Sequence, residues 1–448
     1  MKTVDDLPPT VSGDRPLIGH SLQFMRDPAA VIERGHREHG NAFTLNVGFR
    51  PMVVLAGPEH ARTVFEQTDE GLSISGGMAF LGSQLGEDFY FLAPADEYRR
   101  QREVVLPRFQ SRQLDGYLEV MDAEAAEFVR QLGSRGEFDL ARALGPVVMR
   151  IAAGCFLGRS FIDRIDGDFF AAFRCFTAGI DPVLPGWLPL PHHVRGRQAR
   201  EWLRAQVRRT IADRRAHPAD PPDFLQELMT ARYSDGTPMP EHLRVNMALA
   251  FIMAGYETTT GHLAWSLIDL LRHPAELDKI RAEQREALPG HGPLTMPAVS
   301  RLACLTRALH ETQRLHPSFF LVFRTVTRDT QAAGYRLPAG SRAALSVAVT
   351  HRLPGLFNSP DSYRPGRFAD DPKLAHRLIG FGGGMHRCLG MHFAYLEMKV
   401  VLTRLLQAFD LELATTDPRP IRGPRTPWPQ SPCLVRYRPR RTEAASGG

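Results

Sequence analysis

The sequence predicts a mainly α-helical chain with a minor β-rich part, and three observations carry that expectation. The stretch from Glu241 to His273 reads as one long helix, ended by Pro274, whose middle from Met247 to Ala254 is apolar all round and therefore buried. A second helical pattern starts near Leu389 and repeats Phe393, Leu396, Val400, Leu402, Leu405, Leu406 and Phe409 at three-to-four spacing. Short runs from Ala42 to Val47 and from Met52 to Ala56 supply strands near the N-terminus.

In chain order, Pro16 to His20 lead into a helical segment that ends near His39 and Gly40, and the two strands follow. Between Leu72 and Leu92, Gly76, Gly77, Gly82 and Gly86 are interleaved with Met78, Phe80, Leu85, Phe89 and Tyr90; this reads as a flexible loop whose apolar residues either face a ligand or pack in the core. Tyr98 to Arg102 open a helix, and the spacing of four puts Tyr98 and Arg102 on one face. From Gly116 to Asp220 the pattern is helical and includes Phe169, Phe170, Phe173 and Phe176, broken by a proline-rich piece from Pro182 to Pro191 that carries Trp187 and Leu188.

The long helix is interrupted by Ala254-Gly255-Tyr256-Glu257-Thr258-Thr259-Thr260, poor helix formers where the core should be most apolar. Threonines that bond back one turn and bend the helix would explain them, and so would a reactive site. Glu311 and Arg314 stand three apart, a spacing also found at Glu127/Arg130, Glu201/Arg204 and Glu241/Arg244, so by itself it carries little. Finally, Phe381-Gly-Gly-Gly-Met-His386-Arg-Cys388-Leu-Gly390 delivers one cysteine to the start of an apolar helix. Free amides and the helix dipole there would stabilise a thiolate, making Cys388 a metal ligand. His386, Cys388 and His392 could be read as zinc ligands, but a fourth ligand is lacking and the glycines go unexplained.

Composition narrows the class. With 448 residues, 43% hydrophobic and 23% charged, the chain can bury a large core, and no Pro/Gly/Ser linker divides it; the expectation is a single domain over 1–448 with a short flexible N-terminus and a C-terminal tail. The five cysteines, Cys155, Cys175, Cys304, Cys388 and Cys433, are odd in number and scattered, which argues against a disulfide framework. No signal peptide or run of membrane-span length is evident, which places the protein in the cytoplasm without a membrane span. The +6 net charge includes Arg436, Arg438, Arg440 and Arg441, read as a solvated tail; no nucleic-acid module accompanies them, so no nucleic-acid partner is expected.

The motif Phe-x-x-Gly-x-His-x-Cys-x-Gly resembles the haem-binding signature of the cytochrome P-450 superfamily, in which the cysteine is the axial ligand of the iron. The order of the other motifs agrees: Ala254-Gly255-x-Glu257-Thr258 resembles the oxygen-activation motif, and Glu311-x-x-Arg314 is followed by Pro317, Arg324 and Tyr363-Arg-Pro-Gly-Arg367-Phe ahead of the cysteine loop. The resemblance covers nearly the whole chain and implies the cytochrome P-450 fold, haem b, and a monooxygenase that inserts one oxygen atom from dioxygen into a lipophilic small molecule, hydroxylation being the usual outcome. It further implies that Cys388 ligates iron; that Phe381, Tyr98, Arg102, Arg324 and His386 bind the haem, His standing where Arg is commoner; that Gly255 makes room for dioxygen; and that Glu257 and Thr258 relay protons. Glu311, Arg314 and Arg367 would form a buried network, and Met78, Phe80, Phe173, Ala254, Phe319, Phe320 and Leu321 would line the substrate pocket.

Because no flavin or ferredoxin module is attached, electrons must come from a separate ferredoxin and ferredoxin reductase or a similar donor, docking on a basic surface around Arg108, Arg112 and Arg387 of an expected monomer. Leu17-Ile-Gly-His20 with Arg26-Asp-Pro28 is similar to bacterial relatives of sterol and terpenoid oxidases, which suggests a terpenoid, a steroid or another product of secondary metabolism. Glu257 stands where sterol demethylases usually have His, which speaks against that activity. A peroxide-driven peroxygenase and a non-catalytic haem sensor are the alternatives.

Overall fold

The computed structural model describes residues 7–440 apart from 49, 87, 182, 183, 221 and 291, together with the backbone but not the side chains of residues 111 and 112. The expected flexible N-terminus, the end of the C-terminal tail with Arg441, the start of the proline-rich break at Pro182 and the Arg112 side chain lie outside the described residues.

The predicted mainly helical architecture with small sheets is what the chain adopts. At its centre runs the helix Glu241–Arg272, started after Pro240 with Glu241 in its first turn and Arg272 in its last, charges that match the helix dipole. It packs along the helix Leu140–Leu157 and also contacts Ala303–Leu315 and Met391–Ala408. Rings of Phe109, Phe156, Phe224, Phe251 and Phe393 interlock across these elements, mostly edge to face with one stacked pair, and their burial makes this the main core.

Helix Leu140–Leu157 is long and apolar enough to cross a membrane, contrary to the expectation that no run reached that length. Thirteen of its residues are buried, so its hydrophobicity is that of a core helix.

The β-rich part is only partly N-terminal in sequence. The five-stranded sheet has the order Ala42–Val47, Arg50–Leu55, Arg342–Ser346, Leu321–Val326, Leu72–Ser73, so two of its strands come from beyond residue 320. Met52 to Leu55 pair in parallel with Arg342 to Leu345, a register that no local signal reveals. A second sheet joins Gly136–Asp139, Leu434–Pro439 and Phe409–Leu413. Arg436 and Arg438 therefore lie on a strand and not in a solvated tail; Arg436 pairs with Glu137 at 3.1 Å and Arg438 approaches Asp410 at 3.9 Å.

The glycine-rich stretch after Leu72 is a series of short helical turns, Ile74–Gly77, Ala79–Leu81, Gly82–Leu85 and Tyr90–Leu92, and not a flexible loop. Its glycines serve close approach: a Cβ on Gly77 would stand 2.7 Å from the backbone of Arg324. This contact holds the stretch against the strand that carries Arg324.

Candidate active site

The long helix is buried on both sides of its polar interruption, yet Ala254 in the middle is exposed and Thr258 only half-buried. Exposure in the middle of a core helix means that the helix borders an internal opening. Thr258 donates its hydroxyl to the Ala254 carbonyl at 2.6 Å, the back-bonding expected of a threonine in a helix. Ala254 and Thr258, four apart, share the open face. A Cβ placed on Gly255 would meet Ala152 of the adjoining helix at 3.5 Å.

Glu257 diverges from Thr258, as consecutive helix positions must at about 100° apart. Its carboxyl is enclosed, bonded to Thr177 and within the field of Arg425; burial dominates and pushes its pKa up to about 7.

The cysteine loop is closed by a hydrogen bond from the Cys388 amide to the Phe381 carbonyl at 2.9 Å. Gly382 (φ 70°) and Gly384 (φ 62°) take left-handed dihedrals, and a Cβ on Gly383 would collide with the Phe65 ring at 2.4 Å, so these glycines shape the turn and its seat on the protein. The helix proper begins at Met391, three residues past the cysteine. The expected lowering of the thiol pKa is not found. Burial raises it, and the Gly390 amide and the charges of Arg102 and Arg387 offset only part of that rise. Cys388 nonetheless has accessible surface. A side chain packed round by protein and still accessible faces an internal space, and its sulfur is a neutral thiol that would ionise on meeting a cation.

At the edge of this loop the expected anion-binding residues converge. Tyr98 donates to the Met385 carbonyl at 3.1 Å and stacks on His386 with ring centroids 4.0 Å apart, while Arg102 lies 3.4 Å from the hydroxyls of Tyr98 and Tyr90. Arg324 reaches Thr68 at 2.9 Å and its neighbour's carbonyl at 2.8 Å; it is 2% exposed, among the described residues no carboxylate forms an ion pair with it, and burial, partly offset by the nearby Asp69 charge, lowers its pKa to about 10. His386 is held by Asp69 at 2.7 Å, and its buried Nδ1 has no partner. Asp69 and Phe65 went unrecognised in the sequence; the Thr-Asp-Glu-Gly turn at 68–71 was the available signal, and Asp69 sits in it at φ 71°. Among the described residues His386, Cys388 and His392 do not cluster closely enough for their ligand atoms to share a zinc ion.

Opposite the open side, Glu311 accepts from Arg314 at 2.8 and 2.9 Å and from Arg367 at 3.0 Å, all three side chains being almost completely buried. The remaining guanidinium hydrogens go to carbonyls of His351, Pro360, Ser362, Asn358 and Ser359. The network pins the segment 351–367 that precedes the cysteine loop.

Among the expected pocket residues, Met78, Phe80 and Phe320 are partly exposed and Phe319 is 47% exposed. Phe173 and Leu321 do not line an opening. Phe173 is fully buried between Phe169, Phe176 and Tyr256. Leu321 belongs to the core under the five-stranded sheet with Phe24, Val31 and Met52. Ser318 donates to the Thr258 carbonyl at 3.2 Å, which fastens the Phe319–Phe320 corner beside the open face of the long helix.

The donor set fits haem: a thiol facing an internal space for the metal, and at its edge a buried guanidinium that among the described residues forms no ion pair, with an orphaned imidazole nitrogen suited to carboxylates. Comparison with known proteins agrees. The chain is 30% identical to a sterol 14-demethylase of Arabidopsis thaliana over 92% of this chain and 87% of that protein. It is 28% identical to a sterol 14alpha-demethylase of Mycolicibacterium vanbaalenii over 91% of this chain and 92% of the other. A cyanobacterial protein solved with retinoic acid bound, CYP120A1, superposes with a TM-score of 0.89 at 26% identity, covering 98% of this chain and all of that one. Residues 8–435 match the profile of the Cytochrome P450 family, to which this chain therefore belongs, as a haem b monooxygenase that takes one oxygen atom from dioxygen and its electrons from a redox partner.

Proposed function

We propose that the enzyme oxidises an isoprenoid-derived lipophile, with Cys388 as the iron ligand, Arg102, Tyr98, Arg324 and His386 holding the haem propionates, and Thr258 and Glu257 governing proton delivery. The observation that carries the haem placement is the buried Arg324 guanidinium, which among the described residues has no ion-paired carboxylate and shares the influence of Asp69 with His386, whose Nδ1 is unpartnered. A buried charge of that kind costs several kcal/mol, of order 3–5, unless an anion joins it.

When bound, haem supplies the oxygen-activating redox chemistry. The chain's part is to position and to supply protons. Met78, Phe80, Ala254, Phe319 and Phe320 offer an apolar, partly open wall that would strip water from a hydrocarbon substrate and hold it next to Thr258. Sterols, the substrates in the relatives' names, and retinoic acid, bound in the similar structure, are both isoprenoid in origin: elongated, largely apolar and polar at one end. Titration with sterols, terpenoids, retinoids and fatty acids should shift the haem absorbance most strongly with an isoprenoid. A shift with fatty acids and none with any isoprenoid would sink this reading.

Thr258 presents its hydroxyl at the open face, while Glu257 keeps its carboxyl one step away against Thr177. Proton transfer between them therefore runs through a side-chain rotation or an intervening water. Thr258→Ala should cut product formed per electron roughly tenfold with little change in electron uptake. Glu257 is protonated below pH about 7 and ionised above it, so coupling should fall as pH rises through neutrality, and Glu257→Gln should abolish that limb. Product driven equally well by peroxide alone in wild type and both variants would count for the peroxygenase alternative.

We further place the enzyme in the cytoplasm as a monomer served by a ferredoxin and its reductase. Arg387 is exposed beside the cysteine loop and suits an acidic partner, whereas Arg108 is already paired with Glu227 at 2.5 Å. Arg387→Glu should slow reduction by an acidic ferredoxin several-fold at low salt and less at high salt; a salt-independent rate equal to wild type would refute the docking surface.

A further inference from the structure

We propose that Asp181, His192 and His193 form a zinc site at the base of the loop that joins the helices Gly167–Ala178 and Pro191–Ala216. The ligand atoms of the three side chains lie within 4.8 Å of one another. Asp181 Oδ2 faces both rings, 3.3 Å from His192 Nε2 and 3.8 Å from His193 Nε2. Two donors each about 2.0–2.1 Å from one tetrahedral zinc stand about 3.3 Å apart, so the first spacing is that of a ligand pair and the second needs a few tenths of an ångström of closure. A charge-assisted hydrogen bond would instead draw the atoms to about 2.7–2.9 Å.

The orientation of the donors is set before any ion arrives. His193 is 1% exposed, and its Nδ1 lies 3.0 Å from the Leu188 carbonyl. A carbonyl only accepts, so Nδ1 carries the hydrogen and the neutral ring turns a lone pair on Nε2 toward Asp181. That buried Nε2 has no hydrogen-bond partner. The other carboxylate oxygen of Asp181 accepts the Leu184 amide at 2.8 Å, which aims Oδ2 at the two rings. A backbone hydrogen bond on each of two ligands, fixing the tautomer of one and the direction of the other, is the arrangement that metal sites use. Two imidazoles and one carboxylate favour zinc and leave a fourth position to water.

An ion there would tie residue 181 to residues 192 and 193 and so clamp the ends of a loop whose tip exposes Trp187 (76%) and Leu184 (43%). The loop rests on the short helix Gly82–Leu85: a Cβ on Gly186 would meet Ser83 at 2.7 Å, and Arg200 donates to the Ser83 carbonyl. Zinc would thus stiffen the cover over the Met78–Leu92 segment.

The test uses untagged haem-loaded protein, freed of loosely held cations with a chelator, given one equivalent of zinc chloride and passed through gel filtration. Elemental analysis should find one zinc per haem iron, and amide exchange between residues 184 and 190 should slow. Asp181→Asn and His193→Ala should each weaken zinc binding at least about tenfold. His192→Ala, at a half-exposed position where folding is not at stake, should do the same, with the reduced carbon monoxide spectrum unchanged in all three. Absence of retained zinc in the wild type, or retention in His192→Ala and Asp181→Asn equal to that of the wild type, would overturn the proposal.

Discussion

Cys388→Ala should abolish both the thiolate-type shift of the reduced carbon monoxide complex and product formation, with turnover down by at least two orders of magnitude, or about 2.7 kcal/mol on the barrier. The size follows from the surroundings of the sulfur. Burial opposes ionisation and the Gly390 amide, Arg102 and Arg387 only partly compensate, so the thiol stays protonated until a cation bonds to it. Among the described residues no cluster of three metal-ligating side chains includes Cys388, and Cys155 and Cys433 are buried. Cys388→Ser, nearly isosteric, should fold and bind haem yet lack the shift. The closed loop survives in both variants because its hydrogen bond to Phe381 uses the backbone amide. A variant that kept the shift would mean that another group ligates the metal.

Glu311→Ala should destabilise the fold by about 3–5 kcal/mol and release haem on mild denaturation, although residue 311 is not expected to touch the cofactor. The substitution leaves Arg314, completely buried, and Arg367, 3% exposed, without their only carboxylate. Their carbonyl partners remain but supply dipoles in place of a charge. Breaking the exposed Arg62/Glu66 pair is the matched control and should cost about 0–1 kcal/mol, because water solvates both groups there. The comparison is read from denaturant midpoints and from the fraction of haem retained. Equal effects at the two sites would mean that the buried network does not hold the segment ahead of the cysteine loop.

What could be read in the sequence was chemistry carried by short spacing. The cysteine loop, the Glu311–Arg314 pair and the polar break in the long helix each lie within ten residues, so backbone geometry alone brings their members close. What could not be read was direction and long-range pairing. Phe173 and Leu321 are apolar residues on elements near the opening, and only tertiary packing decides that Phe173 points into a cluster of rings and Leu321 under the sheet. Ala254, the smallest of the expected lining residues, is exposed in the middle of the long helix while Ile252 on its other side is buried. The expectation for the Cys388 thiol erred in weighing the helix dipole, a surface-scale effect of about 0.3–1 kcal/mol, above desolvation, which is larger for an enclosed group. Asp69 escaped notice because its partner His386 stands 317 positions later.

The parallel pairing of Met52–Leu55 with Arg342–Leu345 has a consequence for the protein during its synthesis. The Gly57–Thr350 hydrogen bond beside it joins positions 293 residues apart. At roughly 5–20 residues per second, the N-terminal hairpin leaves the ribosome and waits about 15–60 s before the strand that covers its edge exists. During that interval Met52, Val53, Val54 and Leu55, all buried in the finished sheet, offer an apolar edge with unpaired backbone groups to any neighbouring chain. The nascent chain is therefore most in need of a chaperone before Cys388, the expected iron ligand, has been made.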